Sequence, residues 1–195
     1  MKITLLGTGT PTPSLRRMGA SHLVEIADDV ILLDHGPGAH HRLLEAGRRA
    51  VDVSHLFFSH LHDDHCVDYG RLVLTRWDQA GGIIPDLAVY GPAGTAAMSE
   101  RLFAADGAFN LDIRARTELS AHGGVFSSGH LEVARTAHDA AVKTCVLTHI
   151  SEQMDSVGMH EKLLREMAEV YGGNIIWGED LMEVPVRGPA ARALI

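Results

Sequence analysis

Polar and apolar residues alternate over residues 2–6 and the run stops at Gly7-Thr8-Gly9, which predicts a first strand closed by a tight turn. Two more short strands are predicted over 22–26 and 30–34, joined hairpin-fashion through Ala27-Asp28-Asp29. Asp34-His35-Gly36-Pro37-Gly38 then breaks the chain before a helix over 39–46, with Gly47 suited to its C-terminal cap. An apolar strand over 54–58 runs into a histidine-rich stretch at 59–65, and Tyr69, Leu72, Val73 and Trp77 recur beyond it at helical spacing. Residues 87–90 read as a strand, and Gly91-Pro92 opens a helix through Met98 and Leu102. From 106 to 129 there is no clear periodicity. A helix over 131–141, a buried strand over 143–148, an amphipathic helix over 158–171 and strands over 174–177 and 181–184 complete the pattern. Strands come first as hairpins and later alternate with helices, so the expected class is α/β or α+β with mixed sheets and helices outside.

With 195 residues and 46% hydrophobic content, the expectation is a single domain over 1–195. The formal net charge of -8 leaves no basic footprint of the kind that phosphate backbones select, which disfavours nucleic acid as a partner. The opening MKITLLGTGT lacks the apolar core of a signal peptide, and no uncharged run approaches the roughly 20 residues that span a bilayer. A cytoplasmic protein without a membrane partner is the expectation. Cys66 and Cys145 are too few for a disulfide framework and lack CxxC pairing, so they read as two buried thiols. The thirteen histidines are another matter, because they cluster.

In His60-Leu61-His62-Asp63-Asp64-His65, four candidate ligands fall within six residues of a strand end. Imidazole nitrogens and a carboxylate oxygen suit Zn²⁺, and a strand end gives them a rigid base. Four ligands exceed what one open catalytic ion needs from one loop, so a second ion is expected: His60 and His62 would take the first, Asp64 and His65 the second. A water shared between them would be acidified to a hydroxide nucleophile near neutral pH, with Asp64 at the catalytic centre. One or two zinc ions are expected, with Mn²⁺ as an alternative.

MKITLLGTGTPTP, LLDHGPG at 32–38, the HxHxDH loop, VYGPAGT at 89–95 and LTHI at 147–150 occur in this order. The chain resembles the metallo-β-lactamase superfamily, and within it the ribonuclease Z/arylsulfatase-like branch. The resemblance implies a four-layer αββα sandwich with mixed sheets. It places Asp34 beneath the metal loop, though an ordinary turn aspartate reads as well from sequence alone. It assigns His149, after an apolar strand, as the last ligand of the second ion. It also matches His130 to a histidine that assists proton transfer; a helix N-terminal residue without that duty is an equal reading.

Two features of that branch have no counterpart: a further metal-binding histidine and a later aspartate bridging both ions. A central segment near 117–130 is missing or deleted, through natural loss, engineering or omission from the sequence. His122, His138 and Asp139 are weak substitutes, the last two because a helix is predicted there. Without a bridging carboxylate a two-metal centre should be weaker or mononuclear.

The function implied is a metal-dependent hydrolase acting on an ester-like or phosphodiester bond of a small molecule. Alternatives are a ribonuclease Z-like transfer RNA 3′-processing endonuclease and a non-catalytic metal-binding relative. A homodimer is left open. Arg16-Arg17, Arg71 and Arg76 could orient an anionic substrate or be solvated surface charges, and Trp77 could line a pocket or pack.

Overall fold

The computed structural model describes residues 1–80, 82–121, 129–151 and 154–184, apart from the side chains of 119–121. The mixed α/β class expected from the pattern is the class observed. The chain divides into two compact units, Met1–Ala115 and Arg116–Ile195.

The first unit is built on a five-stranded sheet in the order β1 (Lys2–Gly7), β2 (Ser21–Ile26), β3 (Asp29–Leu33), β4 (His55–Phe57), β5 (Ala88–Tyr90). The first two pairings are antiparallel and the last two parallel. In this register Thr4, Leu23, Leu32, Leu56 and Val89 form one row across the sheet, and the three leucines are wholly buried. Helices α1 (Ala39–Glu45), α3 (Tyr69–Ala80) and α4 (Thr95–Phe103) supply the other half of this core through Leu43, Leu72, Tyr69 and Met98. Each fully buried leucine contributes about 1.5–3 kcal/mol of apolar transfer free energy. The alternate row, Leu5, His22, Leu33, Phe57 and Tyr90, lies on the opposite face, where the Phe57 and Tyr90 rings stack with centroids 4.7 Å apart.

Gly47 caps α1 as its position predicts. It takes φ 78°, and the amides of Gly47 and Arg48 reach back to the carbonyls of Leu44 and Leu43. Arg76 of α3 is 8% exposed, and its guanidinium donates to the carbonyls of Val51 (2.9 Å), Pro85 (2.6 Å) and Ala50 (3.3 Å). It is therefore neither a substrate clamp nor a solvated charge. Arg71 is exposed, and Trp77 keeps 37% of its surface open.

The second unit holds α6 (Gly129–Asp139), β6 (Thr144–Leu147), α7 (Met159–Ala168) and β7 (Asn174–Trp177). Strands β6 and β7 are parallel, with Leu147 opposite Trp177, and α7 makes the crossover that parallel neighbours require. Ala134, Ala137, Met167 and Tyr171 form its core, and the Tyr171 hydroxyl donates to the Val142 carbonyl. Residues 181–184 are not a strand: Leu181 takes φ 65°, and the Met182 amide turns back to the Glu179 carbonyl, which ends extension there. Conversely, α5 (Asn110–Ala121) is a helix in the stretch where no periodicity was legible. It lacks an apolar stripe because its described side chains bury little, with Leu111 80% exposed. Cys66 and Cys145 are free and half-buried. Among the described residues no helix is long and apolar enough to cross a membrane.

Candidate metal centre

Parallel pairing places the histidine loop. Because Leu33 lies opposite Phe57, the carboxyl ends of β3 and β4 emerge side by side, and the Asp34 amide donates to the Phe57 carbonyl at 2.8 Å. After Phe58 the chain leaves the sheet, and the one-turn helix α2 (Asp63–Cys66) carries Asp64 and His65. Backbone bonds sew this turn to its neighbours: the His35 amide to the His65 carbonyl at 2.7 Å and the Ala20 amide to the Asp64 carbonyl at 2.9 Å. Gly36 makes the close approach feasible, since a Cβ there would stand 1.9 Å from the Asp64 carbonyl oxygen.

Asp34 lies under the loop, as the resemblance implied. It is 8% exposed and holds φ 60°, a left-handed conformation that aspartate tolerates better than most residues. Its Oδ1 accepts the Ser59 amide at 2.8 Å, while Oδ2 accepts the Ser59 hydroxyl at 2.7 Å and faces His65 Nδ1 at 2.8 Å. A carboxylate only accepts, so His65 carries its proton on Nδ1 and presents Nε2 with a free lone pair. The Ser59 hydroxyl has one proton, committed to Asp34, so its 3.0 Å contact with His60 Nδ1 makes that nitrogen the donor. His60 Nε2 is thereby also left as a ligand atom. One carboxylate sets two imidazole tautomers.

The rings are gathered. The His60 centroid lies 3.9 Å from that of His65 and 4.6 Å from that of His62. Asp64 is 4% exposed; its Oδ1 is shut from solvent without a hydrogen-bond partner, and its Oδ2 stands 3.4 Å from His65 Nε2. Two donors about 2.1 Å from one tetrahedral ion lie about 3.4 Å apart, so this pair has the spacing of ligands to a shared cation. Among the described residues no set of three or more His, Cys, Asp or Glu side chains has its donor atoms already disposed to hold an ion. The side chains thus fit a metal by donor type and by the hydrogen bonds at Nδ1, while the donor atoms are not closed on one point.

Behind the loop, His35 went unremarked as a site residue in the sequence. It is wholly buried with neither ring nitrogen partnered, and burial, helped by His40, pushes its pKa down to about 3, so it is a neutral imidazole. Its only signal was the place beside Asp34. Burial, then the carboxylate of Asp63, raises the Cys66 thiol, which keeps it protonated beside the loop.

The remaining candidates belong to the second unit. His130 sits in the first turn of α6, with Nε2 2.7 Å from Glu166 Oε2 on α7. His149 follows β6 with φ 63° and lines a cavity of about 830 Å³. His138 and Asp139 close α6, as their predicted helix implied, and His122 lies outside the described residues, as do 122–128 of the expected deletion. Arg16 and Arg17 are exposed; with Arg42 they line a cavity of about 360 Å³ in the first unit, and Arg17 donates to Thr8.

A family model described as "Anti-Pycsar protein Apyc1" matches residues 1–89. Ribonuclease Z of Mycolicibacterium gilvum (strain PYR-GCK) is 40% identical over 114 residues, covering 58% of this chain and 39% of the relative. Ribonuclease Z of Mycobacterium sp. (strain KMS) is 41% identical over 107 residues, covering 55% and 38%. The chain thus spans about two fifths of the length of the curated relatives it matches. Among solved structures, the short form of human tRNase Z is 26% identical with a TM-score of 0.45, covering 64% of this chain and 42% of that one. These relatives are named as ribonucleases, so a net charge of -8 does not set nucleic acid aside. Over the aligned part of the chain, the similarity is to ribonuclease Z.

Proposed function

We propose that this chain is a metal-dependent hydrolase of ester-like or phosphodiester bonds. The observation that carries the reading is the Asp34–Ser59 network, which engages Nδ1 of both His60 and His65 and leaves Nε2 of each as the ring nitrogen turned to a ligand on one loop. A purely structural loop has no need of that tautomer pair. His60, His62, Asp64 and His65 would hold zinc, or manganese, with His149 as a further ligand. A divalent ion bound there supplies Lewis acidity toward water and toward the ester oxygen. Asp34 orients His65 and, through Ser59, His60. His130 would be the proton-transfer residue of the reading: Glu166 accepts from its Nε2–H, which leaves the Nδ1 lone pair to take up a proton and hand it on.

The substrate in this reading is a small-molecule ester or phosphodiester. Ribonuclease Z-like cleavage of RNA is the second reading, favoured by the names of relatives at 40–41% identity. The two free cysteines suit a reducing, cytoplasmic location.

Elemental analysis of chain purified without added metal tests the centre, and turnover of bis-p-nitrophenyl phosphate with and without Zn²⁺ or Mn²⁺ tests the chemistry. Bound metal, and turnover lost in His60→Ala, support the reading. Metal held without turnover of this diester, a lactone or a transfer RNA precursor leaves the non-catalytic relative. No metal at any concentration refutes both.

A further inference from the structure

The second unit carries a cavity of about 830 Å³ at the carboxyl ends of its two parallel strands, within the roughly 300–1,000 Å³ of small-molecule sites. The sheet explains its position. Leu147 and Trp177 are opposite each other, and the segments that follow them, with His149 on one and Glu179-Asp180 on the other, both line the cavity.

The wall chemistry is one-sided. Asp155, Glu179 and Asp180 line the cavity, and no lysine or arginine does so among the described residues. Asp155 is committed: its Oδ1 accepts the Trp177 indole N–H at 2.9 Å and fixes the indole plane. Glu179 and Asp180 have no ion-pair partner among the described residues, so both charges are free for a ligand. His160 packs against Trp177 with ring centroids 4.3 Å apart, and its Nε2 is shut from solvent without a hydrogen-bond partner. Two free carboxylates repel a phosphate group, whereas an indole beside them is the pairing that selects an organic cation.

We propose that this cavity binds a small organic cation, an alkylammonium group set against Trp177 with Glu179 and Asp180 as its counter-charges. His149, which the hydrolase reading takes as a metal ligand, lines the same cavity, and on that reading the substrate class is an ester or phosphodiester of an amino alcohol. That last step rests on the hydrolase reading, whereas cation binding does not.

The probe is choline chloride, titrated into the whole chain at low salt, against 3,3-dimethylbutan-1-ol as the uncharged isostere. Trp177 reports by fluorescence in a Trp77→Phe background, since the chain has only two tryptophans. Choline should bind roughly tenfold or more tighter than the neutral alcohol. The double variant Glu179→Gln/Asp180→Asn, which keeps shape, should erase that preference, and Trp177→Leu, followed by calorimetry, should weaken choline by a similar factor. Equal affinity for both probes, no saturable response to choline, or a preference that survives the carboxamide pair overturns the proposal. His60→Ala/His62→Ala separates the two readings. Choline binding should persist there even if neither variant nor parent hydrolyses any ester, in which case the hydrolase reading falls and the cation site stands.

Discussion

Asp34→Asn changes one oxygen into an amide nitrogen and should disarm two imidazoles. The left-handed φ of 60° favours asparagine over alanine here, so the backbone is retained. Oδ1 of the amide still accepts the Ser59 N–H. The NH₂ group then occupies the place of Oδ2, 2.8 Å from His65 Nδ1 and 2.7 Å from the Ser59 hydroxyl. A donor facing Nδ1 turns that nitrogen into an acceptor and moves the ring proton to Nε2, the atom proposed to face metal. The Ser59 hydroxyl, now accepting from the amide, is free to donate to His60 Nδ1, and the second ring inverts in the same way. Replacing the partner of a metal-binding histidine costs about 10–100-fold in metal affinity, or roughly 1.4–2.7 kcal/mol, and inverting two tautomers puts this variant at the upper end. Competition with a chromophoric chelator at neutral pH measures the loss, and the unliganded melting temperature is the control. Zinc affinity equal to that of the parent would show that the loop does not bind through these nitrogens.

Three other outcomes follow from the same geometry. Gly36→Ala sets a methyl 1.9 Å from the Asp64 carbonyl oxygen, so the loop must shift, and zinc affinity should fall by at least about tenfold while the circular dichroism spectrum is retained. Arg76→Met leaves the carbonyls of Ala50, Val51 and Pro85 without their donor; two or more lost charged hydrogen bonds imply about 2–5 kcal/mol, read as a lower urea midpoint with unchanged slope. Glu25, held below the usual glutamate pKa by its bonds to Arg48 and then Lys2, adds stability that is fully present above pH 4.5 and lost as pH falls through its depressed value. Glu25→Gln should therefore flatten that part of the acid unfolding curve and leave the neutral limb little changed in shape.

What was legible in the sequence is what leaves a period or a dense local pattern. Strands β2 to β4 stood out because one face of their sheet is largely buried, and along a strand the residues on that face recur at a spacing of two, as Val30 and Leu32 of β3 do. Helix α5 buries too little to impose such a rule, and residues 181–184, though mostly apolar, have no strand to pair with among the described residues, so the same reasoning missed the first and invented the second. At the site, HxHxDH declares its candidate ligands by residue type alone. The part it cannot declare is the proton inventory: Ser59 is an unremarkable serine in sequence, yet with one hydroxyl proton it passes the charge of Asp34 on to His60. That relay depends on the parallel register of β3 and β4, a pairing between residues more than twenty positions apart, with nothing local to mark it. The metal chemistry proposed for this chain would therefore rest as much on strand register as on its histidines, and a one-residue slip of β4 would keep every candidate ligand in sequence while taking Ser59 away from Asp34.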